Sequence, residues 1–258
     1  MARRIDLTSR AVKTLTLTHR AVLSASAMAV TLTAWMWLTR GSAHQLHSGL
    51  LLPHCDPVPA LGTFVSAVVM WQAMTIAMMT PTTLNWLFAF AVPTGRNEPR
   101  RVFRAVGAFA MGYFLVWLGY SIVGATAQLA LQRAGFLDRG GKLPSSAAGL
   151  VLIGAGIVYF TPLSRNCLRH CRNPLTYFLG RWDNQTRSGF RFGAVHGAYC
   201  VGCCWALMLT GFAMGAMNLV WMGFLTILVA VEKLAPRGDR IAGAAAAGLI
   251  VWGAALLF

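Results

Sequence analysis

His196, Cys200, Cys203 and Cys204 spell H-x3-C-x2-C-C, followed by Met208 four residues after the last cysteine. On an α-helix, at about 100° per residue, the histidine and three cysteines fall within little more than a quarter-turn, and Met208 lies at the edge of that face. A second group, Cys167, His170 and Cys171, spells C-x2-H-C in the segment before it. Thiolate and imidazole bind Zn²⁺ and Cu(I), and thiolate with thioether prefers the softer ion, so copper as Cu(I) is the expected cargo and zinc the alternative. A single cysteine is more often a small buried residue than a ligand. Here five of the chain's six cysteines share two compact motifs with two histidines, and that concentration favours a metal site. Disulfides are disfavoured on a reducing cytoplasmic side, and adjacent Cys203 and Cys204 would bridge only with strain.

Met70, Met74 and Met78 recur at helical spacing beside Met79, ahead of Pro81. Methionine at such spacing more often packs than binds. With Met214, Met217 and Met222 around the hairpin expected at 215–218, Met74 and Met78 also offer a thioether path for Cu(I). Proline at 81 is expected to free a backbone carbonyl and bend its helix. His44, His47, His54 and Cys55 share one short polar stretch, where histidines are usually just solvated but where H-x2-H with a later His-Cys pair is a weak metal entry site. Asn85, Gln128, Asn218 and Glu232 sit in or beside apolar runs and need partners there. Asn218 reads as a turn cap, and Glu232 with Lys233 as a helix end at an interface.

The elements that must position these residues are apolar helices. The chain is 57% hydrophobic and 11% charged, against about 25% charged in a soluble domain, so its apolar excess is expected to face membrane lipids. At about 20 apolar residues per crossing, an all-α polytopic bundle of about seven spans follows: 21–38, 61–92, 103–131, 148–163, 195–214, 216–231 and 243–258, or five if a hairpin is re-entrant. The fifth and sixth form a hairpin about Gly215 and Asn218. With the N-terminus in the cytoplasm, 18 Lys and Arg lie inside and only Arg40, Arg133, Arg139 and Lys142 outside, as the preference for basic cytoplasmic loops requires. The first apolar stretch is too long for a secretory signal and reads as an uncleaved helix. The organisation is therefore a basic segment, 1–20, and one transmembrane domain, 21–258, in a bacterial inner membrane. A cytoplasmic loop at 164–193 carries the first Cys/His group. The net charge of +15 is topological and lipid-facing in this setting, and nucleic acid is not an expected partner.

Several motifs together resemble a known family. Thr161-Pro162-Leu163, then Cys167, His170, Cys171 and Arg172, then His196-Gly197, Tyr199-Cys200, Gly202-Cys203-Cys204-Trp205, Met217-Asn218 and Glu232-Lys233 carry the likeness, with Trp71, Met74, Ala77-Met78-Met79 and Pro81 earlier. They resemble the bacterial family of predicted metal-binding integral membrane proteins, domain of unknown function 2182, over about 60–258. The resemblance implies a helical membrane protein that binds metal, and it implies no reaction. One departure is Phe160 after Tyr159, where that family's pattern leads one to expect glutamine.

The leading expectation is a protein that receives or passes copper at the cytoplasmic face, with a metal chaperone or a membrane complex as partner. A membrane thiol oxidoreductase is the second reading, with Cys200 and Cys203 exchanging against Cys167 or Cys171 beside Arg165, Arg169 and Arg172. The third is a non-catalytic assembly subunit. The motifs name no catalytic step, and without a nucleotide-binding glycine loop, ATP-driven pumping by this chain alone is not expected.

Overall fold

The computed structural model describes residues 17–51, 60–94, 99–138, 141–174, 186–215 and 218–258, and every regular element among them is a helix. In chain order these are α1 (Leu17–Leu51), α2 (Ala60–Thr94), α3 (Pro99–Arg133), α4 (Ser145–Phe160), α5 (Pro162–Arg172), α6 (Thr186–Leu209), α7 (Gly211–Met214), α8 (Leu219–Leu234) and α9 (Gly238–Ala255). Four stretches are long and apolar enough to cross a bilayer: Ala21–Arg40, Gly62–Ala91, Val102–Arg133 and Ser188–Met214. A fifth arises if α4 and α5, bent by 66° to each other, form one broken span. The counterparts of the expected spans 216–231 and 243–258 are α8, with 16 residues, and α9, with 18 that include Asp239 and Arg240.

Large apolar side chains face outward along the helices, among them Met111, Val123, Leu150, Ile157, Val220 and Ile227. Such a surface suits lipid rather than water. Within, α3 lies along α6, α2 along α3, α1 along α2, and α9 along α4, while α5 rests on α6 and α8 on α2. Small residues set the closest approaches. A Cβ on Gly193 would run into the Phe109 carbonyl oxygen, and one on Gly112 into the Phe190 carbonyl oxygen, so α3 and α6 meet backbone to backbone. Gly149 and Gly253 do the same for α4 and α9, each leaving room for the other's carbonyl oxygen.

Several polar groups between the helices find partners there, the arrangement an apolar interior favours. Gln128 Oε1 accepts from Trp71 Nε1 at 2.7 Å, and Ser121 Oγ donates to Gln72 Oε1 at 2.9 Å, linking α3 to α2 twice. Asn218 caps α8 as expected, its side chain accepting from Trp221 N at 3.0 Å. Asn85 is exposed. α2 runs on through Pro81, and the hydroxyls of Thr80, Thr82 and Thr83 donate to carbonyls one turn back, at 2.6, 2.9 and 2.8 Å.

The segment expected as a loop from residue 164 is helical as far as Arg172. Thr161 is extended (φ −67°, ψ 149°), the conformation favoured before proline. Pro162 at the first helical position has a fixed φ and no N–H to leave unpaired. The Thr161 side chain accepts from Ser164 N at 3.4 Å, and the chain sets off in a new direction. Buried Ser164, Cys167, Leu168 and Cys171 fall on one stripe of α5, at the spacing of an amphipathic helix. Arg172 fastens its far end by pairing with Asp239 at 3.0 Å and donating to the Ala235 and Pro236 carbonyls at 2.7 and 2.8 Å.

Backbone contact between α3 and α6 predicts that Gly193→Ala destabilises the protein by about 1–3 kcal/mol through overpacking, read as a lower unfolding temperature in detergent. Gly107→Ala on α3, where an added Cβ meets nothing within 4 Å, is the control and should leave that temperature unchanged or raise it.

Candidate metal centre

The H-x3-C-x2-C-C motif lies on α6, and its three cysteines are buried on the face that meets α3, α5 and α8. Cys203 Sγ lies 3.3 Å from Cys204 Sγ, and its thiol reaches back to the Cys200 carbonyl at 3.2 Å. From α5, Cys171 Sγ comes to 3.9 Å of Cys203 Sγ. Cys203 thus touches Cys171, Cys204 and the Cys200 backbone, and four thiols from two helices form one buried cluster. The described cysteines are all free thiols.

α5 keeps Cys171 there by a contact from a third helix. Trp86 Nε1, on α2, donates to the Cys171 carbonyl at 2.6 Å. The same indole stacks on His196, with ring centroids 4.0 Å apart. His196 is further enclosed by the rings of Tyr113 and Phe109, at 5.3 and 6.0 Å, and its Nδ1 is buried without a hydrogen-bond partner.

Two groups that the motifs did not single out touch the sulfurs. Tyr113 OH lies 3.1 Å from Cys200 Sγ. Lys233 Nζ, arriving from the last turn of α8, donates to the same sulfur at 3.0 Å and also reaches Thr82 Oγ1 at 3.5 Å and Met79 Sδ at 3.9 Å. Glu232 and Lys233 do end a helix, but both point inward, 1% and 7% exposed, rather than out to an interface. Glu232 turns away from the thiols, accepting from Tyr159 OH at 3.0 Å through Oε2. The available signal was the one lysine in an apolar run, since a charge inside such a run is rare unless it has a use.

The remaining candidates lie around the cluster. Cys167 Sγ packs on Gly202, where a Cβ would come within 2.8 Å of it, so this thiol faces α6 one turn before Cys171. His170 stacks on Tyr199 at 3.8 Å and lies beside Trp86 at 5.6 Å. Met74, Met78 and Met208 are buried in the hydrophobic core that also contains the four thiols. Among the described residues no three His, Cys, Asp or Glu side chains stand ready-made around a metal position. His54, Cys55 and Met217 lie outside the described residues, as do the side chains of His44 and His47.

The family model PpoB2, described as a copper chaperone, matches residues 68–256, a stretch that holds the thiols, Trp86, Tyr113 and Lys233. No curated protein and no solved structure matches the chain.

Docking of α5 through the Trp86 indole predicts that Trp86→Phe, which removes one hydrogen bond worth about 1 kcal/mol, raises the rate of Cys171 alkylation by a maleimide roughly fivefold. Cys200 should stay as protected as before. Equal rates at Cys171 in the two proteins would show that the indole does not hold the helix.

Proposed function

The chain belongs to the PpoB2 copper chaperone family, and we propose that it carries Cu(I) in the buried thiol cluster and receives or passes it at the cytoplasmic end of its helices. One observation carries this reading: Cys171 of α5 meets Cys203 of α6, beside Cys204 and Cys200, away from water. Sulfur donors in an apolar shell suit a soft monovalent ion. The fit is chemical rather than preformed, because Lys233 Nζ stands against Cys200 where a bound ion would draw the sulfurs together.

Within this reading Cys200, Cys203, Cys204 and Cys171 hold the ion. His196, with an unpartnered ring nitrogen one helical turn before Cys200, completes the set. Cys167 and His170, which precede Cys171 on α5, are the exchange ligands. Met74, Met78 and Met208 extend the soft lining into the bundle. Copper comes from or goes to a metal chaperone or a membrane complex.

The site is carried by a bacterial inner-membrane bundle with its N-terminus in the cytoplasm. Seven helices cross, with α4, α8 and α9 as the short ones. At 1.5 Å per residue, a 16-residue helix such as α8 is about 24 Å long, so these crossings need a locally thinned core. The basic residues around α5 and at the start of α9 then contact anionic lipid on the inner face. An alkaline phosphatase fused after Phe258 should be active in the periplasm, whereas a fusion after Arg172 should be inactive. Activity in the second would reverse the orientation.

The test of the cargo is elemental analysis of the detergent-purified protein beside a Cys200→Ser, Cys203→Ser, Cys204→Ser triple variant. Copper in stoichiometric amount in the first and none in the second is expected after anaerobic loading with Cu(I). Zinc in its place would make zinc the cargo. No metal in either protein would overturn the reading and turn attention to reversible thiol oxidation.

A further inference from the structure

The thiols explain why a soft ion binds, but they do not by themselves choose between a monovalent and a divalent thiophilic ion. Lys233 adds a term of a different kind. Its ammonium lies 3.0 Å from Cys200 Sγ and reaches Met79 Sδ and Thr82 Oγ1 on α2, so it is aimed at the cluster from a helix that supplies none of the thiols. It is buried, at 7% exposed, so water screens its charge poorly. The adjacent carboxyl, Glu232, is bonded to Tyr159, and its charge is the same whichever ion is bound. The guanidinium next in sequence to Cys171, that of Arg172, is bound to Asp239 and two backbone carbonyls.

We infer that Lys233 is the specificity-determining residue of the thiol cluster, favouring monovalent over divalent thiophilic ions by charge. The inference rests on the cluster being a metal site, as proposed above. Metal-bound thiols are deprotonated. For any fixed number of thiolates, an M²⁺ ion brings one more positive charge than an M⁺ ion to a point a few ångströms from the ammonium. With the four thiolates proposed above, an M⁺ ion leaves three negative charges facing the ammonium and an M²⁺ ion leaves two, so the ammonium is drawn to the monovalent complex by one unit charge more, in an interior that screens it poorly. Softness alone cannot produce this preference, because Cd²⁺ is soft and divalent.

The deciding measurement is a set of anaerobic competition titrations of the full chain in detergent, with Ag⁺ and Cu⁺ as monovalent probes and Cd²⁺ and Zn²⁺ as divalent ones. Lys233→Met should lower the Ag⁺ to Cd²⁺ affinity ratio by about a hundredfold, a size expected of one unit charge at a few ångströms and an effective dielectric of about 20. Lys233→Arg should retain the ratio of the natural protein. Lys233→Gln keeps a donor for the Cys200 sulfur without the charge, and it decides the question if Lys233→Met does not fold. A ratio within about threefold of the natural one in the neutral variants would overturn the inference while leaving the metal site intact. If the natural protein retains none of the four ions, the metal-site reading itself falls, and this inference with it.

Discussion

A lysine ammonium taken out of water must be met by groups that accept its protons and answer its charge, and much of this molecule is arranged around that requirement. Lys233 enters from α8, Met79 and Thr82 from α2, Cys200 from α6 and, one contact further out, Tyr113 from α3. Four helices therefore converge on a single cation. Unpaired, that charge would cost several kcal/mol, far more than any one apolar contact here contributes. Displacing α8 relative to α2 and α6 exposes the ammonium to an apolar surround without sulfur, so the position of α8 is fixed by electrostatics as much as by packing.

The second constraint is the corner at Thr161-Pro162. Without it α4 would continue straight and carry residues 162–172 away from α6. The proline costs little at this point because it occupies a first helical position, and the preceding residue is already extended. What the corner achieves is a short helix laid across the cluster with Cys167 and Cys171 beneath it, locked at its C-terminal end by the Trp86 indole on the Cys171 carbonyl and by Arg172. One thiol of the four thus sits on a helix other than α6.

How much of this was legible in the sequence differs by residue. The face shared by Cys200, Cys203 and Cys204 followed directly from helical spacing, and their burial together needed only that α6 form. Asn218 as a cap was equally local. Cys171 meeting Cys203 was suggested by shared chemistry, but the helix that delivers it was missed because polar, Arg-rich residues 165–172 read as a loop when judged by hydropathy alone. The stripe Ser164, Cys167, Leu168 and Cys171 was present at helical spacing all along. Lys233 was misread for a related reason: a basic residue at the end of an apolar run ordinarily marks the lipid headgroups. Only the third dimension shows sulfur opposite it. His196, grouped with the cysteines by spacing, also stacks between aromatic rings, a placement no one-dimensional pattern records.

These two constraints act on each other. Cys203 touches Cys171 of the short helix and Cys204 of its own, while Cys200 holds the ammonium. Any ion that draws the four sulfurs together must therefore pull α5 toward α6 and at the same time take Cys200 away from Lys233 or share it. The first effect tightens the protein, because a ligand bound only by the closed arrangement stabilises that arrangement. The second works against it, because it leaves the ammonium with a weaker partner unless the new complex carries negative charge.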